Sequence, residues 1–337
     1  MKKVIALLLC TVMIAAIFAG CGNKAGTTGG KVKTGLAVVT SLGKSADAGE
    51  KEGLAQSDST VVAVTVDSAG KIVKCVIDVA QTKINFSSEG KITTPLDTVF
   101  KTKQELGPDY GMAKASGIKK EWNEQANAFA KYVEGKTLEQ VKGIAVNEEG
   151  APTGSDLASS VTIHVTEFIE AIEKAVNNAK DLGANAGDKL GLGIVTTINK
   201  STDATAEKDG LAQAYSTYTA TTFGADGKIT SCIIDASQAN VNFNTSGKIT
   251  SDLTKNPQTK NELGDAYGMR KASGIKKEWN EQAAAFADYV KGKTVDQVKG
   301  IAVNEEGAPT GSDLTSSVTI HITDLVKVIE KASANAK

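Results

Sequence analysis

The sequence predicts an α+β protein of two tandem homologous domains, each with a mainly antiparallel sheet and packed helices. The first observation is a duplication: residues Lys114–His164 align without a gap to Lys271–His321, and only six of these 51 positions differ. The second is the order of patterns within each repeat, with strand-like hairpins first and amphipathic helices later. Strands grouped before helices are typical of the α+β class. Whatever the first repeat does, we expect the second to do as well.

Each repeat begins with a predicted β-hairpin. Alternating apolar and polar residues flank a short turn that contains glycine, which is the usual hairpin pattern. The two hairpins are Val61–Val66, Asp67–Gly70 and Lys71–Val79, and then Tyr218–Phe223, Gly224–Gly227 and Lys228–Asp235. A further short strand is predicted at Lys83–Phe86 and again at Asn240–Phe243, each before another glycine turn.

The second half of each repeat is predicted to be helical. Apolar residues recur at helical spacing in Trp122, Ala126, Phe129, Ala130 and Val133, and Gly135 ends that helix. Thr137 and Gln140 form a capping box for the next helix. The last helix presents Phe168, Ile169, Ile172 and Val176, with Thr166 as its expected N-cap.

These patterns divide the chain into five segments. Residues 1–20 are predicted to be a lipoprotein signal peptide and residues 21–32 a flexible tether, because that stretch is rich in Gly, Thr and Lys. The two domains are expected at 33–180 and 189–337. Residues 181–188 are small and contain glycine, which favours a linker between two domains on a string.

The N-terminus predicts export and lipidation. Lys2 and Lys3 precede an uncharged, mostly apolar run to Phe18, about the length of a secretory signal and short for a membrane span. The residues before Cys21 resemble a bacterial lipobox, which implies cleavage before Cys21 and a diacylglyceryl thioether on it. The chain would then lie on the extracytoplasmic face of the cell membrane, held by its acyl chains. A plain secretory signal, cut elsewhere, is the alternative.

Composition excludes several classes of function. The 38 basic and 39 acidic residues leave a formal charge of −1, and no basic stripe favours nucleic acid. Cys75 and Cys232 occupy equivalent positions, so a disulfide within one repeat is impossible and both are expected to be small buried apolar residues. His164 and His321 are the only histidines, which leaves little for a metal site or a histidine-based triad.

One short polar motif occurs once in each repeat, just before the last helix. It reads Asp156-x-x-Ser159-Ser160-Val161-Thr162 in the first repeat and Asp313-x-x-Ser316-Ser317-Val318-Thr319 in the second. Its position predicts a threonine near a loop-to-helix junction, where free backbone N–H groups can receive a phosphate. A polar loop or helix cap without further chemistry is the competing interpretation.

This motif resembles the flavin attachment site of the FMN-binding domain family, and of related extracellular FMN-binding lipoproteins of Gram-positive bacteria. The family motif is Asp-x-x-Ser/Thr-Gly-Ala-Thr; Asp156, Ser159 and Thr162 match it, while Ser160 and Val161 replace Gly and Ala. The stretch Asp109–Trp122 is also similar to these lipoproteins. Together with the lipobox and the double repeat, the resemblance spans nearly the whole mature chain.

The resemblance implies two covalent FMN groups per chain, attached through their phosphates to Thr162 and Thr319 by a flavin transferase. It also implies cofactor contacts from the rest of the motif, which are Asp156, Asp313, Ser159, Ser316, Ser160 and Ser317. Aromatic and sulfur side chains on a glycine-flanked loop could cover the isoalloxazine ring. Those residues are Tyr110, Tyr267, Met112 and Met269, and simple exposure on a loop is the alternative.

Two hypotheses of function follow. The first is a membrane-anchored electron carrier that is not an enzyme in the usual sense, although weak reductase activity toward external acceptors is compatible with it. The resemblance implies a membrane quinone-linked dehydrogenase as donor and ferric iron or soluble flavins as acceptors. The second is a surface lipoprotein without a cofactor, acting as a ligand-binding or adhesive tandem-repeat module.

Overall fold

The computed structural model describes residues 30–337. The predictions for the signal peptide and for lipidation of Cys21 lie outside the described residues. Among the described residues, no helix combines the length and the apolar character needed to cross a bilayer.

Two three-stranded antiparallel sheets form the centre of the protein, one in each repeat. The strands of the first sheet are β1 (Lys33–Ser41), β2 (Gly53–Val66) and β3 (Ile72–Phe86), paired in that order. Those of the second are β4 (Lys189–Thr197), β5 (Gly210–Phe223) and β6 (Ile229–Phe243). Helices pack on each sheet, so the predicted α+β class with two homologous, mainly antiparallel halves is confirmed.

Each repeat has three strands, as many as the sequence pattern predicted, but the strands are longer and one lies elsewhere in the chain. Residues Lys83–Phe86, predicted as a separate strand, are the end of β3. β1 was not predicted, because glycine interrupts its apolar pattern and weakens the strand signal. The fold needs that glycine: a Cβ atom on Gly35 would lie 2.0 Å from the backbone oxygen of Ala175, in the helix that crosses β1.

Five helices follow the sheet in each repeat. In the first repeat they are α1 (Lys103–Leu106), α2 (Trp122–Val133), α3 (Leu138–Lys142), α4 (Ser155–Ala158) and α5 (Thr166–Asn177). In the second they are α6 (Lys260–Leu263), α7 (Trp279–Val290), α8 (Val295–Lys299), α9 (Ser312–Thr315) and α10 (Thr323–Asn335). The 3₁₀ turns Gly107–Tyr110, Gly264–Tyr267 and Met269–Lys271 lie between them.

Most of the predicted helix signals are confirmed. The apolar face of α2 is buried, and the backbone N–H of Gln140 donates to the Thr137 hydroxyl as the capping box requires. The N-cap prediction for α5 is wrong: Thr166 is the first helical residue and Val165 holds the cap position, without a side-chain hydrogen bond. Val165 is fully buried, so packing and not side-chain capping sets where α5 begins.

Each sheet is buried on both faces. Along β2, Val62 and Val64 pack against the helices of their own repeat, whereas Val61 and Ala63 face the second sheet. Successive side chains on a strand point to opposite faces, so a doubly covered strand has an almost continuous apolar run. Four layers result, with helices outside and the two sheets in contact at the centre.

The contact between the repeats has approximate twofold symmetry. Phe86 and its counterpart Phe243 stack with ring centroids 4.2 Å apart. The backbone N–H of Ala48 donates to Gly247 O at 2.8 Å, and that of Ala204 donates to Gly90 O at the same distance. Matching surface patches of this kind form an isologous contact, the arrangement of a twofold dimer, here within one chain.

The expectation of two domains on a string is wrong. Apolar side chains of both repeats form common clusters, and Ala184 in the predicted linker is itself fully buried. The predicted tether also ends before Val32, whose N–H donates to Ala184 O at 3.1 Å. The two repeats therefore share buried apolar surface, and residues 181–188 are not a free linker between them.

Candidate functional site

The predicted attachment threonine lies at the surface, directly after a buried anchor. Val161 is fully buried and its N–H donates to Leu157 O, which is also buried, at 2.9 Å. Thr162 follows and is exposed. The second repeat has the same arrangement, with Val318 buried and Thr319 exposed. A hydroxyl is thus presented to solvent on a short turn that the core holds in place.

A buried glutamine, absent from the sequence prediction, holds each of these threonines. The Gln125 side chain on α2 is fully buried, and its Oε1 accepts from Thr162 N at 2.8 Å and from Thr162 Oγ1 at 3.1 Å. Gln282 does the same for Thr319, with identical distances. One amide oxygen therefore fixes both the backbone and the hydroxyl direction of the threonine.

The other end of the glutamine is fixed as well. Gln125 Nε2 donates to Ser116 Oγ at 3.2 Å and to Lys120 O at 3.1 Å, and it lies 3.8 Å from Met112 Sδ. All its donors and acceptors are thus used, as expected of a buried amide. The amide flip is set by this network, because the reversed orientation would place N–H groups against the donors of Thr162.

A glutamate next to the glutamine orders the glycine-flanked loop. Glu121 precedes α2, and its carboxylate accepts from the N–H groups of Met112 at 2.8 Å and Ala113 at 3.1 Å. Glu278 makes the equivalent bonds to Met269 and Arg270 and is almost fully buried. The loop is thereby held against the turn that carries the threonine.

The acidic residue of the motif has a different contact from the one its position suggested. Asp156 Oδ2 accepts from the hydroxyl of Tyr132 at 2.7 Å, and this hydrogen bond raises the pKa of Tyr132. Asp313 and Tyr289 repeat the pair. Asp156 therefore ties α4 to α2. Of the predicted serines, Ser159 and Ser316 are exposed, and Ser160 and Ser317 are half-buried on the turn.

Of the predicted loop residues, Met269 lines a cleft, whereas the two tyrosines pack against the helical core. Met269 lines a cleft beside Thr319 and lies next to Gln282. Tyr110 and Tyr267 end the 3₁₀ turns and are half-buried against the helical core. Each lies under a lysine: Lys103 Nζ is 4.9 Å from the ring of Tyr110, and Lys260 Nζ is 4.5 Å from that of Tyr267.

The cleft beside Thr319 has a volume of about 600 Å³. Aromatic and sulfur groups form part of its wall, together with the glutamine that holds the threonine; these residues are Tyr215, Trp279, Met269 and Gln282. Its charged and titratable groups are Lys200, Lys260, Glu306, His321 and Asp324. Small-molecule sites commonly have such a size and such a wall, with a few polar groups at one side.

Lys260 is the most unusual charged group of this cleft. It is only 3% exposed, and its Nζ donates to the hydroxyl of Tyr215 at 2.8 Å. The ammonium also lies 4.8 Å from the Trp279 ring. Burial lowers the pKa of Lys260 to about 7, while Asp235 opposes that shift. A group of this kind changes charge close to neutral pH.

A sequence signal for the missed glutamines was present. Gln125 lies three residues after Trp122 and four before Phe129, on the apolar face of α2. A polar residue at a core position needs partners inside the protein, and its identical placement in both repeats pointed to a shared function. Lys260 and Tyr215 carried no comparable signal, because only the fold brings β5 to α6.

Comparison with known proteins gives little. No protein-family model matches the chain, and no solved structure matches it. A chlorophenol reductase from Desulfitobacterium hafniense is 50% identical to this chain over 44 residues. That match covers 13% of this chain and 14% of the reductase, so the chain spans a small part of the relative's length.

Proposed function

We propose that the protein is an electron carrier on the outer face of the cell membrane, with one FMN bonded through its phosphate to Thr162 and another to Thr319. The observation that carries the proposal is the pair of exposed threonines, each held by a fully buried glutamine in the same geometry. A turn that needed only a cap would not require a core amide to aim its hydroxyl.

The residues present fit such a group. The cleft beside Thr319 has the volume of a small-molecule site, and Trp279, Met269 and Tyr215 form part of its wall. Helix α5 begins four residues after Thr162 without a side-chain cap, so the N–H groups of its first turn are available to an anion. When bound, FMN would supply reversible electron transfer.

The chain's own residues would bind and orient. Gln125 and Gln282 hold the hydroxyl that becomes the ester oxygen, and Glu121 and Glu278 hold the loop beside it. Attachment needs a base and a metal ion, which a separate flavin transferase would supply. In the described part of the chain, no cluster of three His, Cys, Asp or Glu side chains is placed to hold a metal.

Partners follow from the same proposal. The donor would be a membrane quinone-linked dehydrogenase, and the acceptors would be ferric iron or soluble flavins outside the cell. A lipid at Cys21 would keep the carrier at the membrane. Nothing in the proposal depends on the short match to the chlorophenol reductase.

Co-expression with a flavin transferase tests the proposal. We expect the purified protein to stay yellow after denaturation and to gain the mass of two FMN moieties. Thr162→Ala and Thr319→Ala should each lose one moiety, and the double variant both. Thr153→Ala is the matched control, since Thr153 is also an exposed threonine nearby.

The outcomes separate the two hypotheses of function. Colourless protein with both threonines unmodified, also when isolated from its own host, would contradict the electron carrier and favour the cofactor-free surface module. Two flavins retained in either single variant would show that the attachment residue is wrong.

A further inference from the structure

The two candidate sites differ in charge at one position of the sheet. Asp58 on β2 and Tyr215 on β5 are structural equivalents: Asp58 pairs with Ser41 on β1, and Tyr215 pairs with Thr197 on β4. Tyr215 forms part of the cleft beside Thr319. The same position beside Thr162 therefore carries a carboxylate where the second repeat has a neutral phenol.

In the first repeat this carboxylate belongs to a saturated polar network. Asp58 accepts from Lys44 Nζ at 2.9 Å, from Gln56 Nε2 at 2.9 Å and from Gln81 Nε2 at 3.0 Å. Burial opposes ionisation of Asp58, but these hydrogen bonds outweigh it and hold its pKa below the usual value. The charge of Lys44 is thus neutralised by a nearby permanent anion.

In the second repeat the lysine equivalent to Lys44 lacks that anion. Lys200 corresponds to Lys44 and is exposed at the cleft, and among the described residues no salt bridge joins it to a carboxylate. Lys260 lies deeper, among the rings of Tyr215, Tyr267 and Trp279. Acidic groups are present on other elements, namely Asp235 on β6, Asp324 on α10, Glu306 and, behind Tyr267, Glu278. Glu167 takes the place of Asp324 in the first repeat, so among these cleft groups Asp58 is the negative charge that the second site lacks. The nearby loop differs as well, since Ala113 of the first repeat corresponds to Arg270, whose guanidinium pairs with Asp265.

We infer that the two sites favour a negatively charged ring to different degrees, so that the flavin at Thr319 is reduced before the flavin at Thr162. This inference depends on the proposed function. At equilibrium the electrons leave the group at Thr162, which is oxidised, and arrive at the group at Thr319, which is reduced, without another oxidant or reductant. A proton from water can then be held on Lys260 Nζ, which offsets the negative charge brought into the cleft.

The physical basis is charge close to the ring at low solvent exposure. Removing an anion, or adding a cation, stabilises the reduced and more negative form of a bound redox group. Screening by water is weak here because Lys260 is almost fully buried and Asp58 is half-buried. The Asp58/Tyr215 exchange therefore favours the reduced form of a group at Thr319 over one at Thr162.

The loaded protein gives the first test. Thr319→Ala and Thr162→Ala each leave one flavin, and spectroelectrochemical titration then measures each potential separately. We expect the flavin at Thr319 to have the more positive reduction potential. Tyr215→Asp should lower the potential of that flavin, and Asp58→Asn should raise the potential of the flavin at Thr162. Asp67→Asn also removes one carboxylate charge, but from the far end of β2, about 30 Å from Asp58, and it should shift neither reduction potential.

The unloaded protein gives the second test, independent of any flavin. NMR titration of the lysine side chains should show Lys260 losing its proton near neutral pH, and Tyr215→Asp should raise its pKa by about one to three units. Equal or reversed potentials in proteins with flavin on both threonines would overturn the inference and leave the proposed function intact. No flavin on either threonine contradicts the proposed function itself, and the lysine titration then decides whether the cleft has the inferred charge.

Discussion

The helical half and the strand half of each repeat differ in how closely the two copies agree. In the helical half, which carries the threonine, the glutamine and the glutamate, 51 positions contain six differences. In the strand half, equivalent positions carry Asp58 and Tyr215, or Val61 and Tyr218. The geometry around Thr162 and Thr319 is therefore the same in both repeats, while the surroundings on the strands differ. A duplicated site can keep its chemistry and acquire two electrostatic environments, because the two depend on different parts of the fold.

The largest expected effect tests whether the two repeats are one body. Phe86→Ala opens a cavity in the stack with Phe243, and both rings are fully buried. We expect a loss of about 3–5 kcal/mol in the free energy of unfolding, measured by urea denaturation. Both repeats should unfold in one transition. Val99→Ala, at a side chain that is 86% exposed, should leave the stability unchanged.

Two separate transitions in the unsubstituted protein, with only one of them shifted in Phe86→Ala, would mean that the repeats fold independently. The comparison between them would then be one of two domains and not of two sites in one body.

The next effect is the pH dependence of stability. Burial raises the pKa of Asp78 to about 7 and that of Asp235 to about 6, well above the ordinary value of 3.8. The folded state thus binds protons more strongly, and the stabilisation is complete below about pH 4 and lost as pH rises through these values. Asp78→Asn should remove roughly half of the fall in the free energy of unfolding between pH 4 and 7, measured by urea denaturation at each pH.

At higher pH, Lys260 should make the free energy of unfolding rise with pH, opposite to the effect of the two aspartates. Its pKa falls from 10.5 to about 7, so the contribution to stability is present above about pH 10.5 and is lost as pH falls towards 7. Lys260→Met should abolish that rise. An unchanged pH dependence of the free energy of unfolding in Lys260→Met would contradict the assignment of this rise to Lys260.

Substitution of the buried glutamines is expected to affect each site separately. Gln125→Ala leaves Thr162 without its acceptor, which costs about 1–3 kcal/mol of positioning and slows flavin attachment there by roughly 5- to 150-fold. Thr319 in the same chain serves as internal reference, read by peptide mass spectrometry. Asn127→Ala, which copies Ala284 of the second repeat, is the control on the same helix.

A purely structural glutamine would behave differently. Gln125→Ala would then lower loading at both threonines together, in proportion to the loss of stability. Hydrogen exchange of the Thr162 amide in the unloaded protein gives a second measure, since that N–H should lose its protection while the amide of Thr319 keeps it.

The smallest effect concerns the tyrosine that ties α4 to α2. Tyr132→Phe removes an exposed hydrogen bond to Asp156 and should cost about 0.5 kcal/mol or less. Loading at Thr162 should hardly change. A loss as large as that in Gln125→Ala would show that the carboxylate of the motif acts through Tyr132.

Local sequence patterns predicted the fold class well because helix, cap and turn formation depend on residues close together in the chain. The apolar spacing of Trp122, Ala126 and Phe129, the capping box at Thr137 and the glycine turns of the hairpins depend on neighbours within a few residues. The same patterns misplaced the N-cap of α5 at Thr166, because burial of Val165 decides where that helix begins. They also missed β1, where Gly35 serves a close approach of α5.

By itself, the sequence determined the duplication, the α+β class and the threonines now proposed for attachment, since each depends on residues close together in the chain. Only the tertiary structure decided that the two sheets share a core, that Gln125 holds Thr162, and that Asp58 and Tyr215 occupy equivalent positions of the two sheets. These relations involve residues far apart in the chain: Gln125 and Thr162 are 37 positions apart, and the shared core joins the two repeats. They arise from the burial of apolar faces and of polar groups that need partners, which no local pattern encodes.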